Sequence, residues 1–384
     1  MKVLFIEAVT NFGGSRMASV ELAANLKNQH DVHIVDINGG KSSEFIDSCI
    51  GHNVNYSIIS TRKKSISRSS NPILTIFHLF REFINYFKDR RTVNNFIDST
   101  KPDYLILNCF RTLSYFYLSK HSYQIIYYSH VWSLKKELSK LYRYFLKIIP
   151  DKHICVSEAT RHSMYNNNIA DLENITVIPN MISNKFSLRN NTLHSTNQLG
   201  KKECCNIIHI SGFLPSKGQH ISIEIASKLK EIGFNFRLIL VGIIYKDKKS
   251  KLYYDKIVKL IKENKLEDNI EIVLNTYDVV NFYDECDISI FPSASEGFGR
   301  VAIESMAMNK PIIANPVGGI TDIIHNNYTG FLAEFNDSDD FVSKILHLCN
   351  DPSLYSNIAR NAYSMVNQVY NKEKILSKIN KIIK

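Results

Sequence analysis

Short apolar runs alternate with longer stretches of helical periodicity throughout the 384 residues. That alternation predicts an α/β chain with parallel, doubly wound sheets. In the first half, Lys2–Glu7, Val32–Asp36, Tyr104–Leu107, Gln124–Tyr128, His153–Val156 and Thr176–Ile178 read as buried strands. Glu21–Lys27 and Ile73–Phe87 read as helices. Ser183 to Glu203 is polar, rich in Asn, Ser and Thr, and has little periodicity, so it reads as a linker. The same grammar then restarts with strands at Asn206–Ile210, Arg237–Val241, Ile270–Leu274, Ile288–Phe291 and Pro311–Ala314. Ser364–Lys384 reads as one or two basic amphipathic helices. The expectation is two similar domains, 1–182 and 183–365, facing a cleft, with a terminal helix of about 366–384 packing back on the first. Ligands of such sheets bind beyond the carboxyl ends of the strands.

Four strand-to-helix turns carry candidate chemistry. Gly13-Gly14 follows the first strand and precedes a helix, where free N–H groups and the helix dipole favour an anion. Asp36 closes the second strand, about where a dinucleotide fold keeps its ribose ligand, but the first turn is not G-x-G-x-x-G. Ser211-Gly212-Phe213-Leu214-Pro215-Ser216-Lys217-Gly218 sets a lysine on a glycine-flanked turn, a phosphate-binding design that is not a Walker A loop. The segment Ser295-Glu296-Gly297-Phe298-Gly299-Arg300-Val301 ends in a helix running from about Gly299 to Met308. It puts the N–H groups of Gly299 to Val301 at a helix start, flanked by Glu296 and, inside the helix, Glu304. Two carboxylates beside an anion site suit the hydroxyls and diphosphate of a sugar nucleotide. A glycosidase pair needs carboxyls roughly 5–9.5 Å apart across one bond, and a helix start between the two is poorly arranged for that. Gly318-Gly319 repeats the paired-glycine turn.

Charge and cysteine content narrow the classes. The net charge of +10 concentrates between Arg62 and Arg91, where eight bases face two acids. Such a segment suits nucleic acid, an anionic membrane surface or a solvated helix face. No zinc, RNP or helix-turn-helix signature accompanies it, so a nucleic-acid partner is not expected. The seven cysteines show no C-x-x-C spacing, and five sit among apolar neighbours, where buried reduced thiols are expected. No apolar run reaches the length of a membrane span or a signal peptide, so a cytoplasmic protein is expected, with the inner membrane face as the membrane it would contact.

These turns, in this order, resemble retaining glycosyltransferases of family 4, the group 1 glycosyl transferases of GT-B fold. The pattern E-x7-E is matched by Glu296 and Glu304, Tyr283-Asp284-Glu285-Cys286-Asp287-Ile288 precedes it, and Glu304-Ser305-Met306-Ala307 and Lys310-Pro311-Ile312-Ile313-Ala314 follow. Gly13-Gly14, Val156-Ser157-Glu158, Ile178-Pro179-Asn180, Lys217-Gly218 and Val241-Gly242 fall in family order. The resemblance implies an acceptor-side first domain and a nucleotide-sugar donor domain after it. It implies that Glu296 touches sugar hydroxyls, Glu304 the ribose, and the Phe298, Gly299, Arg300 and Val301 backbone the sugar and diphosphate. Lys217 would bind the diphosphate beside Gly212, with Gly13 and Gly14 approaching from the first domain. His130 falls where many members keep a cleft histidine, so Glu296, His130 and Lys217 are the implied catalytic set. Phe213 stands where the family usually has an arginine, and Asp322 where it has a glutamate.

The expected activity is retaining transfer of a sugar from a nucleotide sugar to a glycan or lipid-linked acceptor, as in bacterial surface polysaccharide synthesis. No cofactor or metal is expected. Asp337-Ser338-Asp339 has the D-x-D form of a metal motif but reads as a helix cap before Phe341. The rivals are another GT-B enzyme, such as a nucleotide-sugar epimerase or a sugar phosphorylase, then a basic nucleic-acid-binding protein, then an NAD enzyme.

Overall fold

A computed structural model describes residues 1–9, 11–59, 72–118, 121–132, 139–187, 204–276 and 278–384, with side chains left aside for 72–83 and for Arg111. The basic residues Arg62 to Arg68, most of the expected linker and the apolar positions 73–83 therefore lie outside the described residues or side chains. The chain divides into two compact units. One comprises Met1–Cys155, Arg161–Ile178 and Lys378–Lys384; the other comprises Val156–Thr160 and Pro179–Ser377.

The first unit is a seven-stranded parallel sheet. Its strands are β1 (Lys2–Glu7), β2 (Asp31–Asp36), β3 (Asn55–Ile58), β4 (Tyr104–Leu107), β5 (Gln124–Ser129), β6 (Lys152–Cys155) and β7 (Ile175–Val177), in the order β3-β2-β1-β4-β5-β6-β7. The central strands are continuous apolar runs because helices cover both faces. Leu4, Ile6, Leu105, Leu107 and Ile125 pack there against Val93 and Ile97 of the long Pro72–Thr100 helix. β3 escapes prediction for the opposite reason. It is an edge strand whose residues, Asn55-Tyr56-Ser57-Ile58, are exposed or half-buried. Strand order reverses between β1 and β4, which makes their carboxyl ends the switch point of this unit.

The second unit is a six-stranded parallel sheet of β8 (Cys205–Ile210), β9 (Phe236–Gly242), β10 (Ile270–Leu274), β11 (Ile288–Phe291), β12 (Ile312–Ala314) and β13 (Phe331–Leu332), in the order β10-β9-β8-β11-β12-β13. Ile207, Leu238, Leu240, Ile288 and Ile290 meet Ile221, Ile225 and Leu229 of the Gln219–Glu231 helix in its core. β13 has two residues, too few to show a period. Here the switch point lies between β8 and β11. The loops after these two strands carry Lys217 and Glu296. The expected terminal helix is a pair, Pro352–Val369 and Lys372–Ile382.

Candidate functional site

The two loops at the second unit's switch point are built against each other. The Lys217 turn is a single 3-10 turn, Pro215–Lys217, closed by Gly218 at φ 79°. That angle favours glycine, and a Cβ there would strike the Pro292 backbone after β11. The Ser216 carbonyl accepts the Ala294 N–H at 2.8 Å, so a backbone hydrogen bond joins the two loops. Across this seam the Lys217 ammonium pairs with the Glu296 carboxylate, and it also lies 5.9 Å from the centroid of the Phe291 ring. Lys217 and Glu296 thus occupy one spot, one as the cation and the other as the anion that neutralises it.

The Glu296 loop feeds the Arg300–Ala307 helix. Gly299 is its N-cap at φ 101°, and no side chain caps this end. The first N–H groups of a helix lack intrahelical acceptors, so those of Arg300 and Val301 are donors for an anion. One turn further in, Glu304 is buried, and its carboxylate faces the Arg300 guanidinium at 3.5 Å. Burial, with Glu304 beside it, pushes the Tyr283 phenol well above its ordinary range. Phe298 is buried with its ring 5.6 Å from Tyr370, so only its backbone is left for a ligand.

Sequence reasoning missed the supports of this loop. Ser157 and Thr160, in the short segment that the first half of the chain contributes to the second unit, both donate to the Gly297 carbonyl, at 2.6 and 3.0 Å. The Asp322 carboxylate accepts the Glu158 N–H at 2.6 Å. Gly318-Gly319, expected to be another anion cradle, has a packing role. A Cβ on Gly319 would lie 2.6 Å from the Gly297 carbonyl oxygen, and the Gly319 N–H donates to the Glu296 carbonyl at 3.1 Å. These glycines let one backbone lie on another.

At the β8 end, Tyr245 covers Gly212, where a Cβ would come within 2.7 Å of its ring. Tyr245 carried no signal in sequence because only the fold brings it there. Phe213, at the position of the family's arginine, is buried and packs edge-on to Tyr254 at 5.3 Å, so it belongs to the core. Below the turn, buried His209 meets Ser222 Oγ at 2.8 Å and Ser211 Oγ at 2.9 Å. Burial pulls its pKa down to about 3, so this imidazole is neutral.

Gly13, Gly14 and His130 lie in the first unit. Gly13 is the extended N-cap of the Gly14–Leu26 helix, which also starts without a side-chain cap. Beneath it, fully buried Glu7 at the end of β1 meets Arg16 at 3.0 Å and accepts from Asn108 Nδ2 at 2.8 Å. Burial opposes the Arg16 charge most strongly, but Glu7, Cys109 and Asp36 together outweigh it and keep the guanidinium protonated. This buried ion pair at the switch point was not anticipated. His130 follows β5, half-buried, with its ring 4.7 Å from that of Tyr128. Asp36 does not offer a ribose ligand: its two oxygens accept the N–H groups of Val9, Asn38 and Gly40 at 2.9–3.1 Å. That removes the basis of the NAD reading. Asp337 caps the Ser338–Asn350 helix by accepting from the N–H groups of Asp339 and Asp340, and Asp339 pairs with Lys228 at 2.5 Å. Among the described residues, no three His, Cys, Asp or Glu side chains cluster as a metal site.

Comparison with known proteins bears on the family and the fold. Residues 195–365 match the family model for glycosyl transferases group 1, and residues 12–185 match that for glycosyltransferase family 4. An uncharacterized glycosyltransferase of Methanocaldococcus jannaschii is 34% identical over 57% of this chain and 56% of its own length. The capsular polysaccharide biosynthesis glycosyltransferase CapM of Staphylococcus aureus is 27% identical over 62% of this chain and 65% of its own. These matches thus span only about three-fifths of the relatives' length. The structure of Anabaena HepE in complex with UDP and glucose superposes with a TM-score of 0.80 at 19% identity, covering 100% of this chain and 99% of that one. With both halves matched in order and both sheets reproduced, the chain belongs to the group 1 glycosyl transferases and has their GT-B fold.

Proposed function

We propose that this protein is a retaining glycosyltransferase that moves a sugar from a nucleotide sugar to a glycan or lipid-linked acceptor in bacterial surface polysaccharide synthesis. The observation that carries the reading is the Lys217–Glu296 pair set against the uncapped start of the Arg300–Ala307 helix. A diphosphate arriving there meets one ammonium and two backbone donors, and as it binds it draws Lys217 away from Glu296. The carboxylate is then free to accept hydrogen bonds from sugar hydroxyls, while Glu304 does the same for the ribose. Departure of the nucleoside diphosphate leaves an oxocarbenium-like sugar. The acceptor hydroxyl attacks on the face the diphosphate left, and a leaving phosphate oxygen takes its proton. Preorganised donors stabilise the departing charge without reorganisation. His130 and the Gly13-Gly14 turn are assigned to the acceptor-side unit. Relatives named as surface-polymer enzymes, among them CapM and a Salmonella typhimurium lipopolysaccharide 1,2-N-acetylglucosaminetransferase, support the polysaccharide setting.

The test is a panel of nucleotide sugars and nucleoside diphosphates read by titration calorimetry, followed by product assay with and without chelator. Binding of one nucleoside diphosphate series, with turnover that persists in EDTA, is expected. A protein that binds none of them is not this enzyme, and manganese- or magnesium-dependent turnover would show that Lys217 and helix ends are insufficient.

A lipid-linked acceptor predicts membrane contact by the first unit. Ile84 and Phe87 on the Pro72–Thr100 helix are 39% and 47% exposed, next to Lys88 and Arg91. Each base near an anionic leaflet is worth about 1 kcal/mol. Co-sedimentation with anionic but not neutral liposomes at matched salt is expected, and indifference to both would point to a soluble acceptor.

A further inference from the structure

We infer that the second unit carries a separate anion-binding groove that takes phosphate groups, lined by Lys248, Lys249 and Lys256. The groove has a volume of about 640 Å³ and lies where the Gln219–Glu231 and Lys248–Glu263 helices begin. Neither Lys217 nor Glu296 lines it, and the inference does not depend on the transferase reading.

The charge arrangement is not balanced by the protein's own side chains. A helix start carries a partial positive charge that disfavours cations, yet Lys248 and Lys249 open the 16-residue helix and its first turn holds no acid. Asp247, just before it, already accepts the Ser250 N–H at 2.8 Å as its cap. Lys256 adds a third charge two turns on. Among the described residues, none of the three forms an ion pair. On the facing helix Glu224 is close enough to act on His220, as is Lys256 from its own helix.

The groove also supplies a directed ring nitrogen. Buried Tyr253 accepts the His220 N–H at 3.2 Å and lies 2.8 Å from His220 Nδ1. With Nδ1 held against the phenol, Nε2 is the ring nitrogen left to meet a phosphate oxygen. Leu252, 57% exposed, and Pro215 add apolar surface beside the charges. Three mobile ammonium groups around a histidine fit a chain of phosphates better than one carboxylate, because each lysine acts as a point charge able to reach a different oxygen. The phosphates belong either to a soluble phosphate chain or to a lipid headgroup.

Inorganic tripolyphosphate and phosphatidylglycerol vesicles serve as the two probes, in a Lys217→Gln background that removes the cation of the neighbouring turn. The variant Lys248→Gln/Lys249→Gln/Lys256→Gln is expected to lose about tenfold or more in affinity for at least one probe. The charge-matched variant Lys251→Gln/Lys259→Gln/Lys262→Gln, on the same helix outside the groove, is expected to lose less than about threefold. Groove-dependent binding of tripolyphosphate assigns a soluble phosphate chain, and groove-dependent binding of vesicles alone assigns a headgroup. Equal losses in the two variants, or no binding of either probe, would overturn the proposal.

Discussion

Glu296 and Glu304 are the same residue type eight positions apart, but they sit in different surroundings, and the proposed function gives them different work. Glu304 is buried in the helix beside Arg300, where a ligand hydroxyl would find an acceptor already held in place. Glu304→Ala is therefore expected to weaken both free nucleoside diphosphate and intact donor. A hydrogen bond to a charged group is worth about 1.5–3 kcal/mol, roughly ten- to a hundredfold in affinity. Glu296 sits on the loop and neutralises Lys217, so Glu296→Ala is expected to cut turnover while leaving the bare nucleotide bound as well or better. Calorimetry with nucleotide alone, beside steady-state rates, separates the two. Equal loss of nucleotide affinity in both variants would mean that Glu296 is not a sugar contact.

At the level of elements, the Lys217 and Glu296 loops depend on a few backbone positions. Gly299 at φ 101° joins the Glu296 loop to its helix, and a Cβ there would run into the side chain of Ile320. Gly299→Ala is expected to cost about 1–3 kcal/mol of stability and to turn the Arg300 and Val301 N–H groups out of register. Thermal melts together with nucleotide titration would detect both effects, and an unchanged melt would show that the turn tolerates the strain. The same elements show what a reader of the sequence can and cannot see. Ile270–Leu274 and Ile288–Phe291 are legible to the residue because β-branched and large apolar residues crowd both, with a single polar position in each. Glu296, Lys217 and the helix start are legible because turn chemistry is local. The Ser157 and Thr160 bonds to Gly297 are not, since they join positions 140 and 137 residues apart. Gly318-Gly319 misleads for a related reason: two glycines signal a close approach without saying whether it is to a ligand or to another stretch of backbone.

For the molecule as a whole, histidines whose pKa falls on folding contribute to the acid side of stability, and His209 and His153 show the largest shifts. Burial lowers His209 to about 3 and His153 to about 4, against an ordinary value of 6.5. Each stays neutral in the folded chain and takes up a proton on unfolding, so stability is full above about pH 6.5. It falls as the pH drops towards 4, by up to about 1.4 kcal/mol per pH unit for each proton. Denaturant melts at pH 7.5, 6 and 5 should give a falling midpoint, and His209→Gln should flatten part of that slope; a flat profile in the parent protein would contradict it. The membership of Lys378–Lys384 in the first unit has a consequence for biogenesis. Lys152 Nζ donates to the Ile382 carbonyl at 2.9 Å, and His30 meets Asn380 at 3.0 Å. On the ribosome these partners emerge only after every strand of the second sheet has been made. The half of the protein that is synthesised first is thus the last to be completed, and until then Lys152 and His30 wait for their C-terminal partners.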